Sequence, residues 1–176
     1  MINLCKLWDD LRIVWLRHVW WTREVIMGIA FGLPSLNDSV NKLLENPKEM
    51  ADIFKPFITN AQYIQMIALF KQHLSTGGDI VTAAKAGDTA KVNQLQKEWH
   101  QNSDEIAKLM AGFGLNYNEA VVRDMMYTHL ALTTTEATQI LAGQYADAIK
   151  TFDKIQEEAL QMADYFYAGI AKSLSV

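Results

Sequence analysis

The chain of 176 residues has one cysteine, three prolines and nine glycines. A lone cysteine excludes an internal disulfide, and with it the stapled frameworks of small secreted domains. Cys5 is expected as a small buried thiol near the N-terminus. No excess of basic charge is present, since 16 Lys and Arg face 20 Asp and Glu for a net charge of -4. The electrostatic footprint of a nucleic-acid binder is therefore missing, and no nucleic-acid partner is expected. Long uncharged apolar runs are missing too. The greasiest stretches, Ile13 to Leu16 and Val25 to Phe31, are flanked and separated by Lys6, Asp9, Asp10, Arg12, Arg17, Arg23 and Glu24. They fall short of the roughly 18 to 20 residues of a membrane-spanning helix, and no charged lead, apolar block and small-residue cleavage site follow in order. A cytoplasmic protein without a membrane span is the expectation. No glycine-rich loop exists to cradle a phosphate, so no nucleotide is expected. Thr133 to Thr135 have no histidine and acid at a catalytic spacing, and no enzyme class is legible.

Half of the residues are apolar, and they recur at spacings of three and four nearly throughout, a period that only helices satisfy. The chain is read as all-α, one domain spanning 1–176, without internal repeat or linker. A first helix runs from Leu4 to Phe31, ended by Gly32 and Pro34, because proline cannot continue a helix. A short helix begins near Leu36. Asn46 reads as the N-cap of a second short helix to Phe54, with Pro47 in its first turn and Glu49 closing a capping box. A long helix from about Phe57 towards Ala86 contains Gly77-Gly78, where a kink or a close backbone contact is expected. Asp88 caps a helix to Phe113, Asn116 with Glu119 opens one to Ala142, and Gly143 reverses the chain into a last helix from Tyr145 to Lys172. Short connections make sequential neighbours antiparallel. The expected fold is an up-and-down bundle of about five long helices plus a short helical pair.

The first helix carries one apolar stripe through Leu7, Leu11, Val14, His18, Trp21, Val25 and Ile29 and a second through Ile13, Leu16, Trp20 and Met27. It should therefore be central, with the second stripe free to serve a homo-oligomer. Trp8, Trp15, Trp21 and Trp99 are expected as core anchors. The acidic residues Asp153, Glu157 and Asp164 read as a solvated face of the last helix, from which Asp164 or Gln156 is placed to lean inwards.

Histidines break this pattern of apolar faces. His18, His73 and His129 each fall near the middle of a different helix and on its apolar stripe, so parallel packing brings them to one level. Asn102 interrupts the stripe between them in the same way, and Glu136 continues the His129 face two turns on. His100 lies off its stripe and reads as solvated. Neutral imidazole ligates zinc, nickel, copper and iron, and His18, His73 and His129 with Glu136 form a candidate metal site supported by Asn102 and Thr22. A small ligand is the other occupant such a site accepts. The local spacings of zinc proteases and of di-iron bundles are absent. The competing expectation is a non-enzymatic interaction protein whose buried histidines, satisfied by polar neighbours, only hold the helices in register.

Leu7-Trp8, His18 to Arg23, Gln72 to Leu74, His129 to Thr133 with Glu136-Ala137, and Ala159 to Asp164 carry a resemblance over nearly the whole chain. It resembles a group of short all-helical proteins of Gram-positive bacteria often labelled acetylglutamate kinase. The resemblance implies a helical fold with His18, His73 and His129 in its pattern, and Gln72 stands where that pattern leads one to expect glutamate. It brings over no activity, cofactor or catalytic residue. Acetylglutamate kinases are larger α/β proteins with glycine-rich nucleotide loops, and neither feature is legible here.

Overall fold

A computed structural model describes residues 2–174. Among them every regular element is helical: α1 Leu4–Phe31, α2 Leu36–Leu43, α3 Asn46–Phe54, a 3-10 turn Lys55–Phe57, α4 Asn60–Lys85, α5 Thr89–Ala111, α6 Glu119–Leu141 and α7 Tyr145–Ser173. The five long helices close into a ring, α1 against α4, α4 against α5, α5 against α6, α6 against α7 and α7 back against α1. The short pair lies over the seam between α1 and α4, with α2 packed on α1 and α3 on both. α1 and α6 also touch across the ring, as do α4 and α6. This is the expected all-α bundle, and α1 is its most widely shared helix.

Turn chemistry accounts for most boundaries. Gly32, Gly87 and Gly143 end α1, α4 and α6 with φ of 64, 74 and 73°, the left-handed conformation glycine takes without steric cost. Asp88 accepts from the Lys91 amide at the start of α5, as expected. Other caps differ. α4 begins at Asn60 because Pro56 falls in the 3-10 turn and Thr59 with Gln62 supplies the capping box. Asn118, not Asn116, caps α6 by accepting from Ala120 and Val121, while Asn116 adopts the left-handed conformation of the preceding loop. Asn46 is the first residue of α3 and not its cap; Glu45 stands at the cap position and makes no side-chain bond to the helix amides.

Packing differs between the two ends. The end holding the N-terminus of α1 is filled by large side chains, with Trp15 edge-on to Phe70 and Phe166, and Phe54 against Phe113 and Phe166. The other end is built from smaller groups such as Val81, Ala137 and Ala148 around Ile26 and Ile140. Of the expected anchors, Trp21 is half-buried. Trp8 is 41% exposed, and the Cys5 thiol, expected buried, is exposed, because Leu7 and Leu11 take the inward face of the first turns. Trp8 instead donates its Nε1 to Asp164 and carries the Arg12 guanidinium on its ring. Of the second α1 stripe, Ile13 and Trp20 are exposed, Leu16 is half-buried, and Met27 packs on the core. No helix among the described residues is long and apolar enough to cross a membrane.

The glycine pair in α4 lies inside an unbroken helix and serves close approach. A Cβ on Gly77 would stand 3.3 Å from Trp99 Cζ2, whereas one on Gly78 would meet nothing within 4 Å. Trp99 is buried and its Nε1 donates to the His73 carbonyl, so it has little freedom to yield. Gly78→Ala is therefore expected to stabilise the fold by about 0.5–1 kcal/mol through helix propensity. Gly77→Ala should lose that gain to the Trp99 contact, and paired urea melts of the two variants read the difference.

Candidate functional site

The midpoints of α1, α4 and α6 each present one buried histidine, and His129 lies between the other two. Its ring centre is 5.5 Å from that of His18 and 6.0 Å from that of His73. All three line a cavity of about 90 Å³ whose walls come from the smaller-residue end, among them Val25, Ile26, Gly78, Val81 and Ala137. They also line a second cavity of about 20 Å³ on the large-residue side, room for about one water. The histidines thus form a polar layer between two unlike halves.

Each ring is anchored through Nδ1 by a residue from a neighbouring helix. His18 Nδ1 lies 3.0 Å from Asn46 Oδ1, and Asn46 Nδ2 donates to the Val14 carbonyl at 3.1 Å. His73 Nδ1 lies 3.0 Å from Asn102 Oδ1, and Asn102 Nδ2 donates to the Leu69 carbonyl at 3.0 Å. Because each amide nitrogen is committed to a carbonyl, each amide oxygen must accept from the imidazole, which places the proton on Nδ1 and leaves Nε2 as an acceptor. His129 Nδ1 lies 3.3 Å from Glu158 Oε2. No protein partner engages Nε2 of any of the three among the described residues.

These pairs expose a repeat that the sequence analysis did not anticipate. The residue holding the ring follows its histidine by 28, 29 and 29 positions. The turns joining α4 to α5 and α6 to α7 match as well: the Asp88 amide donates to Ala83 and that of Gln144 to Gln139, each behind a left-handed glycine. α4–α5 and α6–α7 are thus equivalent hairpins, and α1 with α3 is the third unit, with α2 inside the span and no added length between histidine and partner. Low residue identity between the units hides this, because only the turn glycines and the buried polar pairs need to agree.

Asn102, expected as a supporting residue of the histidine site, accepts from His73 Nδ1. Thr22 lines the larger cavity while its hydroxyl donates to the His18 carbonyl. Glu136 does not join the layer as a fourth ligand, since it is buried in an ion pair with Arg23. Asn46 and Glu158 were not anticipated as site residues. Both stand on apolar stripes, Asn46 with Met50 and Phe54, Glu158 between Ile155 and Met162, and that position was their available signal. Asp164 binds Trp8 and Arg12 instead of leaning into the layer. His100 is half-buried, its Nδ1 on the Gln96 carbonyl. Thr133 also lines the larger cavity, and its buried hydroxyl has no partner. Thr128, Thr135 and Thr138 of the same helix all donate to the carbonyl four residues back.

Among the described residues, no group of three or more His, Cys, Asp or Glu is close enough to hold a metal ion. What the layer offers is an Nε2 acceptor on each of His18 and His73, whose protons the asparagines hold on Nδ1. Burial, followed by repulsion from His129, drives His18 down to about 3, while the Asn46 bond opposes this. The same causes, with His18 added, hold His73 well below the usual 6.5. Burial pushes Glu136 up to about 7 against the opposing pull of Arg23.

The signs give a pH profile. Unfolded histidines titrate near 6.5, so His18 contributes stability that is complete above 6.5 and lost as pH falls towards 3, and His73 contributes in the same sense. Glu136, raised in the fold, contributes in the opposite sense, with stability present below about 4.5 and lost as pH rises to 7. Between 6.5 and 4.5 the histidines and Glu136 act in opposite senses, and below 4.5 the histidines act alone, so stability falls most steeply with acid there. Urea midpoints across this range test the slope. Nitrogen-15 NMR should find Nδ1–H tautomers at His18 and His73 down to pH 5, and an Nε2–H tautomer at either would overturn the assignment.

Comparison of the chain with protein-family models, with curated proteins and with solved structures finds no match.

Proposed function

We propose that this chain is a binding protein whose core histidines hold a small ligand. One observation carries the reading: three imidazoles from three helices have Nδ1 fixed by a neighbour, Nε2 without a protein partner, and a shared cavity beside them. A network built only for stability gains by closing on itself, because each buried polar group without a partner costs about 1–3 kcal/mol. Here the chain of bonds stops one atom short of closure in all three units. Apolar walls with a few convergent polar groups are the usual composition of a small-molecule site.

A transition-metal ion, zinc, nickel, copper or iron, is the second reading. The Nδ1 anchors favour it, since a metal-bound imidazole ordinarily donates its other N–H to a carboxylate or carbonyl-type oxygen. Three imidazoles on one tetrahedral ion have ring centres roughly 5.2 Å apart; the two pairs through His129 approach this at 5.5 and 6.0 Å, whereas His18 and His73, on either side of it, would have to move together. Elemental analysis of protein purified without a histidine tag decides its rank. One equivalent of metal, lost on replacing any of the three histidines, would place the ion first.

The ligand reading is tested by a double replacement. His73→Leu alone strands the Asn102 oxygen and should cost about 1–3 kcal/mol, whereas His73→Leu with Asn102→Leu removes both ends and should recover most of that loss. Neither variant should retain small molecules that the parent releases on denaturation, as read by mass spectrometry. Retention by the double variant would move the site elsewhere.

A further inference from the structure

Resting on the ligand-binding reading, we infer that the ligand is a small primary amine held as its ammonium ion, with the head on the histidine layer and a short alkyl group in the cavity beside it. The first argument is hydrogen-bond complementarity. Asn46 and Asn102 fix His18 and His73 as Nε2 acceptors, and the Glu158 carboxylate at Nδ1 of His129 favours the same tautomer there. An ammonium group has three donors and no acceptor, matching three acceptors that no protein atom uses. A carboxylate or phosphate head would face acceptors with acceptors.

Charge gives the second argument, and it comes from the place where the repeat is broken. In two units an asparagine orients the ring and spends its amide nitrogen on the carbonyl four residues before the histidine. The third unit has Glu158 instead. It is 7% exposed, its Oε1 has no hydrogen-bond partner, and no lysine or arginine among the described residues pairs with it. An asparagine would satisfy this position without charge, so the carboxylate is a worse structural choice. Its one ionic partner among the described residues is the His129 imidazole, with Nδ1 at 3.3 Å, and a cation beside that ring would complete the counter-charge that a buried carboxylate calls for. No Lys, Arg, Asp or Glu lines the larger cavity, and Glu158 is the only charged side chain lining the smaller one. A cation at Nε2 of His129 would lie one imidazole away from that carboxylate.

Thr133 adds a buried hydroxyl, unlike its neighbours not bonded back along the helix. Size follows from volume. A cavity of 150 Å³ accommodates benzene, so about 90 Å³ accommodates a chain of roughly three or four carbons on the same scale.

Isothermal titration of the full chain with n-butylammonium chloride, 1-butanol, sodium butyrate and zinc chloride at pH 7 tests the inference. The amine should bind one to one, at least tenfold more tightly than the alcohol, with butyrate silent and all three imidazole Nε2 resonances shifted. Glu158→Gln, and Glu158→Asn, which restores the repeat, should each weaken the amine at least tenfold and leave the alcohol unchanged. Alcohol binding as tight as the amine would overturn the ammonium assignment and leave the ligand site standing, as would preference for butyrate. Stoichiometric zinc binding at the histidines without amine binding would overturn the amine in favour of the ion. Silence from all four probes would remove the support for both readings. If the Glu158 variants fail to fold, the ratio of amine to alcohol in the parent still decides.

Discussion

A hydrogen bond from a buried imidazole to a side-chain oxygen on the next helix governs this bundle. It occurs once in each hairpin unit, joining α1 to α3, α4 to α5 and α6 to α7 at the same height. Apolar packing is non-directional and tolerates sliding by a turn, whereas each of these bonds exists in one register only. Where an asparagine makes the bond, its second hydrogen bond to a backbone carbonyl removes the freedom to flip. Register, tautomer and the direction of the remaining lone pair therefore follow from one contact.

The bundle was legible from its punctuation. Gly32, Gly87 and Gly143 end helices in the sequence because they end them in space, and Asp88 caps because its carboxylate reaches the Lys91 amide. The histidines were legible as polar interruptions of apolar stripes. Their partners were not. Glu158 adjoins Glu157 in an acidic stretch, and a shift of one residue turns a side chain by about 100° on a helix, so solvated and buried members look alike until the register is known. Asn46 was hidden by a plausible alternative, since asparagine before proline reads as a cap. Glu136 was misplaced for a third reason. Helical spacing puts it on the His129 face but cannot show that Arg23, distant in sequence, reaches it first.

The hidden repeat shows the same limit. Equivalent hairpins need matching turns and one matching polar pair, and the rest of the surface is free to diverge. Trp8 and Cys5 belong with this lesson: helical period identifies an apolar face, but neighbouring helices cover only part of it, and the N-terminal turn of α1 leaves both outside.

The two ends of the bundle use their interior differently, and the polar layer is the boundary. On one side aromatic rings meet edge to face and leave a void of only about 20 Å³. On the other, Gly77, Gly78, Ala84 and Ala137 stop short of filling the space and leave about 90 Å³. Cavities of this kind cost stability because their walls lose contacts, and a chain that fills one half so thoroughly has the residue types to fill the other. The Thr133 hydroxyl, buried without a partner in the wall of that void, adds a second cost on the same side. Two independent sacrifices at one place, with a lone carboxylate where the repeat calls for an amide, mark the histidine layer as the part of the fold shaped for something other than its own stability.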